Sequence, residues 1–393
     1  MHNITSKNKS IKTKTRKIKP GRKKVSIMLP NNTLKDVNEL SEQINAELNS
    51  VDNSMIVTSY SPSINAQLVS LKSIERDLLV DCNNFRAFSL KEPLEISINN
   101  KCYPYGSKEA KTFLLKNLAA NKHIQLTKIV PPIQALGNCW FNTMFVTLFV
   151  SDKGRKFFHF FRQLMIEGKK ADGSAIPKKL RNGLALLNYA IESCLQGTEF
   201  AYKMDTNVII KEIFKNIPSV YKDNLPYITN IKDAGNPIRY YGSLIYYLHD
   251  KSIQLAFISY ATDKWKSQTI EQLKATKANV SKPHVIILEF FDDQSKSVTN
   301  KPLKFSVEGA KYVLDSCIIR NTKAHHFSSL LTCEKKELAY DGMSFHRLVP
   351  FLWKRLINTD FVWKFEGSTD DNGAPLEWNF KSGYQMLVYY RTN

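Results

Sequence analysis

Cys139 has the setting of a nucleophile. It follows a small, turn-forming stretch, Gln134-Ala-Leu-Gly-Asn, and opens an apolar run with helical character that continues to Val150. A thiol at a helix N-terminus feels the positive end of the macrodipole, which favours the thiolate that attacks carbonyl carbons. A cysteine at a helix start is more commonly a small core residue, so the chemistry also requires a base and a group to orient it. Toward the C-terminus, Val313–Arg320 is followed by a polar stretch and then by His325-His326-Phe-Ser-Ser-Leu-Leu-Thr-Cys333 and Lys336-Glu-Leu-Ala-Tyr-Asp341. Three short strands in this order put a histidine at the start of one and Asp341 at the end of the next. In an antiparallel pair those positions lie side by side, within reach of an Asp–imidazole hydrogen bond that fixes tautomer and ring orientation. Singly, each reads as a structural histidine or a turn-forming aspartate. With Cys139 they supply nucleophile, base and orienting acid. Gln134, five residues before Cys139, reads in two ways. It is a turn-stabilising side chain, or an amide that donates beside the Cys139 N–H to a developing oxyanion.

The elements that must position these residues divide the chain. Residues 206–260 look largely helical, and from Pro283 onward short runs rich in Val, Ile, Phe and Tyr read as strands. A helical half followed by a sheet half is an α+β arrangement, with a natural cleft where the two meet. Upstream, Asn31-Asn32-Thr33 precedes Leu34, Val37, Leu40, Ile44 and Leu48, the spacing of a capped amphipathic helix. A second helical pattern spans about 64–80. The expected organisation is a basic tail over 1–25, a mostly helical extension over 26–128, and a catalytic domain over 129–393.

Composition bounds the rest. In 393 residues, 43% hydrophobic and 11% aromatic content suffices for a sizeable core. The six cysteines are scattered with no CxxC pair, which fits reduced thiols and argues against a zinc ribbon or a disulfide framework. No apolar run has the length of a membrane span, and the N-terminal residues lack the apolar core of a secretory signal. The expectation is a soluble intracellular protein, cytoplasmic or nuclear, with no cofactor, no metal and no membrane partner. The net charge is +20, and residues 7–24 alone hold ten Lys or Arg and no acid. Such a block reads as a disordered arm. It acts as a nuclear-import signal or nucleic-acid contact, or else as a solubilising tail.

Several boxes, in order, resemble the ubiquitin-specific proteases, a papain-like cysteine peptidase family. Gln134-Ala-Leu-Gly-Asn-Cys139-Trp-Phe-Asn142-Thr143 is similar to the family's N-x-G-N-T-C-Y-x-N-S box. Asp233-Ala234 with the apolar run through Tyr246-Tyr-Leu-His249 resembles its Q-D-A-x-E-F-L element, and Pro283–Phe290 its P-x-x-L-x-x-x-L-x-R-F strand. His326-Phe327 stands where the family has H-Y, which favours His326 over His325 as the base. Tyr340-Asp341 stands where it has F-D, and Tyr384–Arg391 resembles the closing A-Y-x-L-x-Y-x-R strand. The likeness covers about 130 to the end. Three departures stand out: Gly137 is one place closer to the cysteine, Gly342 replaces the usual second acid, and the zinc-carrying fingers are missing.

The resemblance implies a papain-like fold, with a helical subdomain holding Cys139, an antiparallel sheet holding His326 and Asp341, and a cleft between them. It implies a thiol hydrolase for peptide or isopeptide bonds after a ubiquitin-like tail, acting through Cys139, His326, Asp341 and Gln134. Its partner would be a protein carrying ubiquitin or a ubiquitin-like modifier. The competing expectation is a protease-derived basic protein without catalysis, which binds nucleic acid or is packaged in an assembly. Against that alternative, all four site positions are suitably filled.

Overall fold

The computed structural model describes residues 77–120, 124–170, 172–223, 235–248, 255–258, 261–275, 283–292, 300–323 and 326–392. The basic segment 7–24, the helix expected from Leu34 to Leu48, Asp233-Ala234, His249 and His325 lie outside these residues. Of the helix expected over 64–80 only 77–80 are described, and there the chain is extended, with Val80 bridging Ser97.

A helical half comes first. Its elements are α1 (Asn84–Phe88), a hairpin of β1 (Glu95–Ile98) and β2 (Lys101–Pro104), α2 (Lys108–Ala119), α3 (Cys139–Phe149), α4 (Asp152–Phe157), α5 (His159–Glu167) and α6 (Arg181–Gln196). Next come α7 (Glu199–Lys203), α8 (Asn207–Asn216), α9 (Ser219–Asp223) and α10 (Pro237–Tyr247). Helix α3 is the pivot. It is apolar on nearly its whole circumference, so it can only be a central helix, and every one of its residues is buried. It packs against α10 on one side and the sheet on the other. Leu79, Phe88, Ile96, Leu114 and Leu118 belong to the same apolar cluster as α3, so residues 77–120 are built onto the helical half.

The second half is an eight-stranded sheet. Its strands are β3 (Leu255–Ile258), β4 (Val285–Phe290), β5 (Lys304–Val307), β6 (Ala310–Arg320), β7 (Phe327–Cys333), β8 (Lys336–Tyr340), β9 (Leu348–Pro350) and β12 (Gln385–Arg391), with the two-stranded pair β10 (Val362–Trp363) and β11 (Trp378–Asn379) apart from it. The order is β3-β4-β12-β6-β7-β8-β9, with β5 on β6, and only the β3–β4 pairing is parallel. Central strands buried on both faces read as unbroken apolar runs, which is why Val285–Phe290 lacks a polar alternation. Val285, Ile287, Leu331, Met386 and Val388 face the helices. Ile286, Leu288, Leu330, Leu387 and Tyr389 face a second core containing Trp353, Trp363 and Trp378. A bulge in the β6–β12 register leaves Asp315 between Leu314 and Ser316 without a partner. Its carboxylate instead accepts from Lys153 N at 3.2 Å and Gly154 N at 3.4 Å, in the first turn of α4. The sheet is thereby tied to the helix that follows α3.

Two expectations need correction. Leu255–Ile258, read as part of a helical region, is the strand β3: its alternating burial and its pairing with Val285–Leu288 override the local pattern. The cysteines are not all reduced, because Cys82 and Cys102 form a disulfide with their Cα atoms 6.0 Å apart. Their separation of 20 residues hides the contact, which is made by the β1–β2 hairpin folding Cys102 back over the entry to α1. The other four cysteines, Cys139, Cys194, Cys317 and Cys333, are buried and stand outside the disulfide. Among the described residues, no helix is long and apolar enough to cross a membrane.

Candidate active site

The site forms where α3 meets the β7 and β8 ends of the sheet. Cys139 is the first residue of α3 and is buried. The N-cap residue, Asn138, makes no side-chain cap to the helix. The Asn138 carbonyl accepts from Phe141 N at 3.1 Å and Asn142 N at 3.0 Å, so the helix start presents the Cys139 and Trp140 N–H groups without a side-chain cap. The Asn138 side chain organises the preceding turn instead. Its Oδ1 accepts from Ala135 N at 3.0 Å, and its Nδ2 donates to Thr206 Oγ1 at 3.0 Å. The Thr206 hydroxyl in turn donates to Asn142 Oδ1 at 2.6 Å, and Asn142 Nδ2 donates to the Ile133 carbonyl at 3.1 Å. Asn207 Nδ2 adds a bond to the Ala135 carbonyl at 2.8 Å. Asn138, Asn142 and Thr206 are fully buried, so this closed network fixes the turn before the thiol against the first turn after it.

His326 stands just before β7, its N–H held by Asn321 Oδ1 at 2.7 Å. The last β7–β8 pair is Ser329 with Tyr340. One step further sets Asp341 opposite Ser328, on the same face as His326. The side chains meet there: His326 Nε2 lies 2.6 Å from Asp341 Oδ1. The Cys139 thiol is a further neighbour that favours the charged form of the ring. Burial of the ring opposes protonation. The adjacent Asp341 charge, the Asp341 hydrogen bond and the neighbouring Cys139 outweigh it, and His326 is raised to about 10. Trp378 packs its ring against His326, with the centroids 5.9 Å apart.

Asp341 is itself clamped. Its Oδ1 also accepts from Met343 N at 3.1 Å, and its Oδ2 accepts from the Ser368 hydroxyl. Gln134 lies alongside. Its backbone N–H donates to the Gly342 carbonyl at 2.9 Å, and its side-chain Nε2 donates to the Leu136 carbonyl at 3.1 Å. One amide hydrogen is thus engaged within the turn, and Oε1 is buried without a hydrogen-bond partner. Two further bonds stitch the turn to the sheet: Tyr340 Oη to the Pro132 carbonyl at 2.7 Å, and an Arg347 guanidinium nitrogen to the Pro131 carbonyl at 2.6 Å.

Cys139, His326 and Asp341 are therefore contiguous, with Gln134 on the adjoining turn. Thr206 and Ser368 were not found from the sequence. Each reaches the site from a distant loop with no local motif, and only the tertiary contacts mark them. Chemically, a thiol paired with an imidazole that is paired with a carboxylate can transfer acyl groups. Among the described residues, the one group with metal-ligating spacing is Cys82, Glu95 and Cys102, whose two sulfurs are joined in the disulfide.

No protein-family model matches the chain, and no curated protein matches it. Solved structures similar to it at low scores include these two. One is the SAGA Ubp8/Sgf11/Sus1/Sgf73 DUB module, with TM-score 0.35 and 8% identity, covering 69% of this chain and 70% of that one. The other is an essential yeast splicing factor, with TM-score 0.34 and 10% identity, covering 80% of this chain and 76% of that one. Scores this low do not establish a common fold; the chain itself is a mixed α+β protein with a helical half and a multi-stranded sheet.

Proposed function

We propose that the chain is a cysteine-dependent hydrolase that cleaves peptide or isopeptide bonds after a ubiquitin-like C-terminal tail, in the manner of a papain-like deubiquitinase. One observation carries the reading: a buried His326 ring bonded to Asp341 at 2.6 Å, with the Cys139 thiol at a helix start among the neighbours that favour its charged form. The ubiquitin-like substrate comes from the resemblance of the sequence boxes.

In this mechanism the Cys139 proton resides on His326 and the thiolate adds to the scissile carbonyl carbon. The oxyanion is met by the Cys139 N–H and a Gln134 amide hydrogen. Collapse breaks the C–N bond, and His326 gives its proton to the leaving amine. Water then adds to the thioester, losing a proton to His326, and the acid departs as the thiol returns. Asp341 keeps the ring oriented through both halves.

Labelling with a ubiquitin-derived electrophile tests the nucleophile and the substrate class together. The expected result is one covalent adduct on Cys139 that disappears in Cys139→Ala. An adduct that persists in that variant, or that maps to Cys333, removes Cys139 from the role. Labelling by a plain alkylating agent but never by the ubiquitin probe removes the substrate class.

A further inference from the structure

The two loops that carry the site also carry an unusual surface. Ile133 and Leu136 precede Cys139 on its loop, and Phe345 follows Asp341 on the other; all three are exposed, Leu136 at 84% and Phe345 at 71%. Tyr202, also exposed, joins them through Arg347, whose guanidinium lies 5.8 Å from the Tyr202 ring centre while bonding the Pro131 carbonyl. The loops are fastened to each other by Gln134 N to Gly342 O and by Tyr340 Oη to Pro132 O, so these side chains form one ridge.

Phe345 in particular is not loosely displayed. Its N–H donates to the Glu366 carbonyl at 3.0 Å, and its ring rests on Gly367. A Cβ at Gly367 would lie 2.7 Å from that ring, and its φ of +89° suits glycine. A large aromatic held in place yet left open to solvent is the form of a contact anchor. Single exposed apolar residues are ordinary, but a cluster on the loops of a reaction site marks an interaction surface.

We propose that this ridge docks the leaving-group side of the substrate: the folded body of the protein whose lysine carries the ubiquitin-like tail, contacted through an apolar patch. The inference rests on the peptidase reading above. The leaving nitrogen must approach His326 to take its proton, and the ridge adjoins His326's partner, Asp341. Arg347 is engaged with Pro131 and Tyr202, and the exposed side chains of Ile133, Leu136 and Phe345 offer apolar contact.

The test compares two substrates of the full chain: ubiquitin joined by an isopeptide bond to a folded protein, and ubiquitin carrying a small fluorogenic amide, which has no leaving protein. For Phe345→Ser and Leu136→Asn, a residue that tolerates the left-handed φ of 57° at position 136, the ratio of kcat/KM for the first substrate over the second should fall at least tenfold. Val362→Ser, on the separate β10–β11 pair, should leave the ratio at its native value. A native enzyme that cleaves both substrates, with variants that keep the ratio, overturns the docking surface alone. A native chain that neither labels with the ubiquitin probe nor cleaves either substrate overturns the peptidase reading, and the docking surface with it.

Discussion

Gln134 and Gly342 touch backbone to backbone at the junction of the two halves, the Gln134 N–H donating to the Gly342 carbonyl at 2.9 Å. A side chain at 342 has nowhere to go. Its Cβ would lie 2.9 Å from Gln134 N, 3.0 Å from Tyr340 Oη and 3.1 Å from Gln134 Cβ. This is a steric reason why a second acid does not follow Asp341 in this chain.

Gly342→Ala should therefore push the Gln134 turn away from the sheet, at a cost of about 1–3 kcal/mol typical of overpacking. Urea unfolding measures it, and kcat should fall alongside. Native stability with native kcat would mean the turn yields without consequence.

Gln134→Ala tests the proposed oxyanion donor. Loss of one such donor lowers kcat by roughly 10²–10³-fold. KM should change little, because the bond strengthens only as charge develops on oxygen. Alkylation of Cys139 by iodoacetamide should stay near the native rate, since that reaction forms no oxyanion. Equal loss in both reactions would assign Gln134 to the turn alone.

Asp341→Asn tests the charge on His326. Because the folded-state value is raised from 6.5 to about 10, protonation of His326 stabilises the fold. That contribution is complete below pH 6.5 and is lost as pH rises through about 10. The stability gap between native protein and Asp341→Asn, read from urea midpoints, should be widest near pH 6.5 and close through the alkaline range. The alkaline limb of kcat should also move to lower pH in the variant. A gap that widens with pH would reverse the sign and refute the assignment.

Thr206→Val breaks the network at its centre, leaving Asn138 Nδ2 and Asn142 Oδ1 without their partner. Each buried orphan costs about 1–3 kcal/mol, and Thr206→Ser, which restores the hydroxyl, should recover most of it. Thermal unfolding of the pair decides. Equal losses in both variants would mean that the methyl group, not the hydroxyl, matters.

The sequence made the candidate site readable where chemistry and local pattern coincide. Cys139 opens an apolar helix, and the strands ending at Cys333 and Tyr340 fall where short apolar runs set off by polar stretches put them. Even the His326–Asp341 contact follows from two adjacent strands and a short turn. What stayed hidden depends on distant packing. Ser368 and Thr206 come from loops whose sequence has no reason to approach the site, and the Cys82–Cys102 bond depends on how a short hairpin folds back. β3 was concealed because four residues in a helical neighbourhood hold too little periodicity to declare a strand.

The Trp378 ring packed against His326 has an optical consequence. All five tryptophans are buried, and Trp265, Trp353, Trp363 and Trp378 sit in the core behind the sheet while Trp140 alone lies among the helices. Emission on denaturation therefore reports chiefly on the sheet. A protonated imidazole quenches a neighbouring indole, so within the folded protein Trp378 should brighten as His326 gives up its proton. The molecule carries its own lamp beside His326, and a fluorescence titration can follow that single proton without any label.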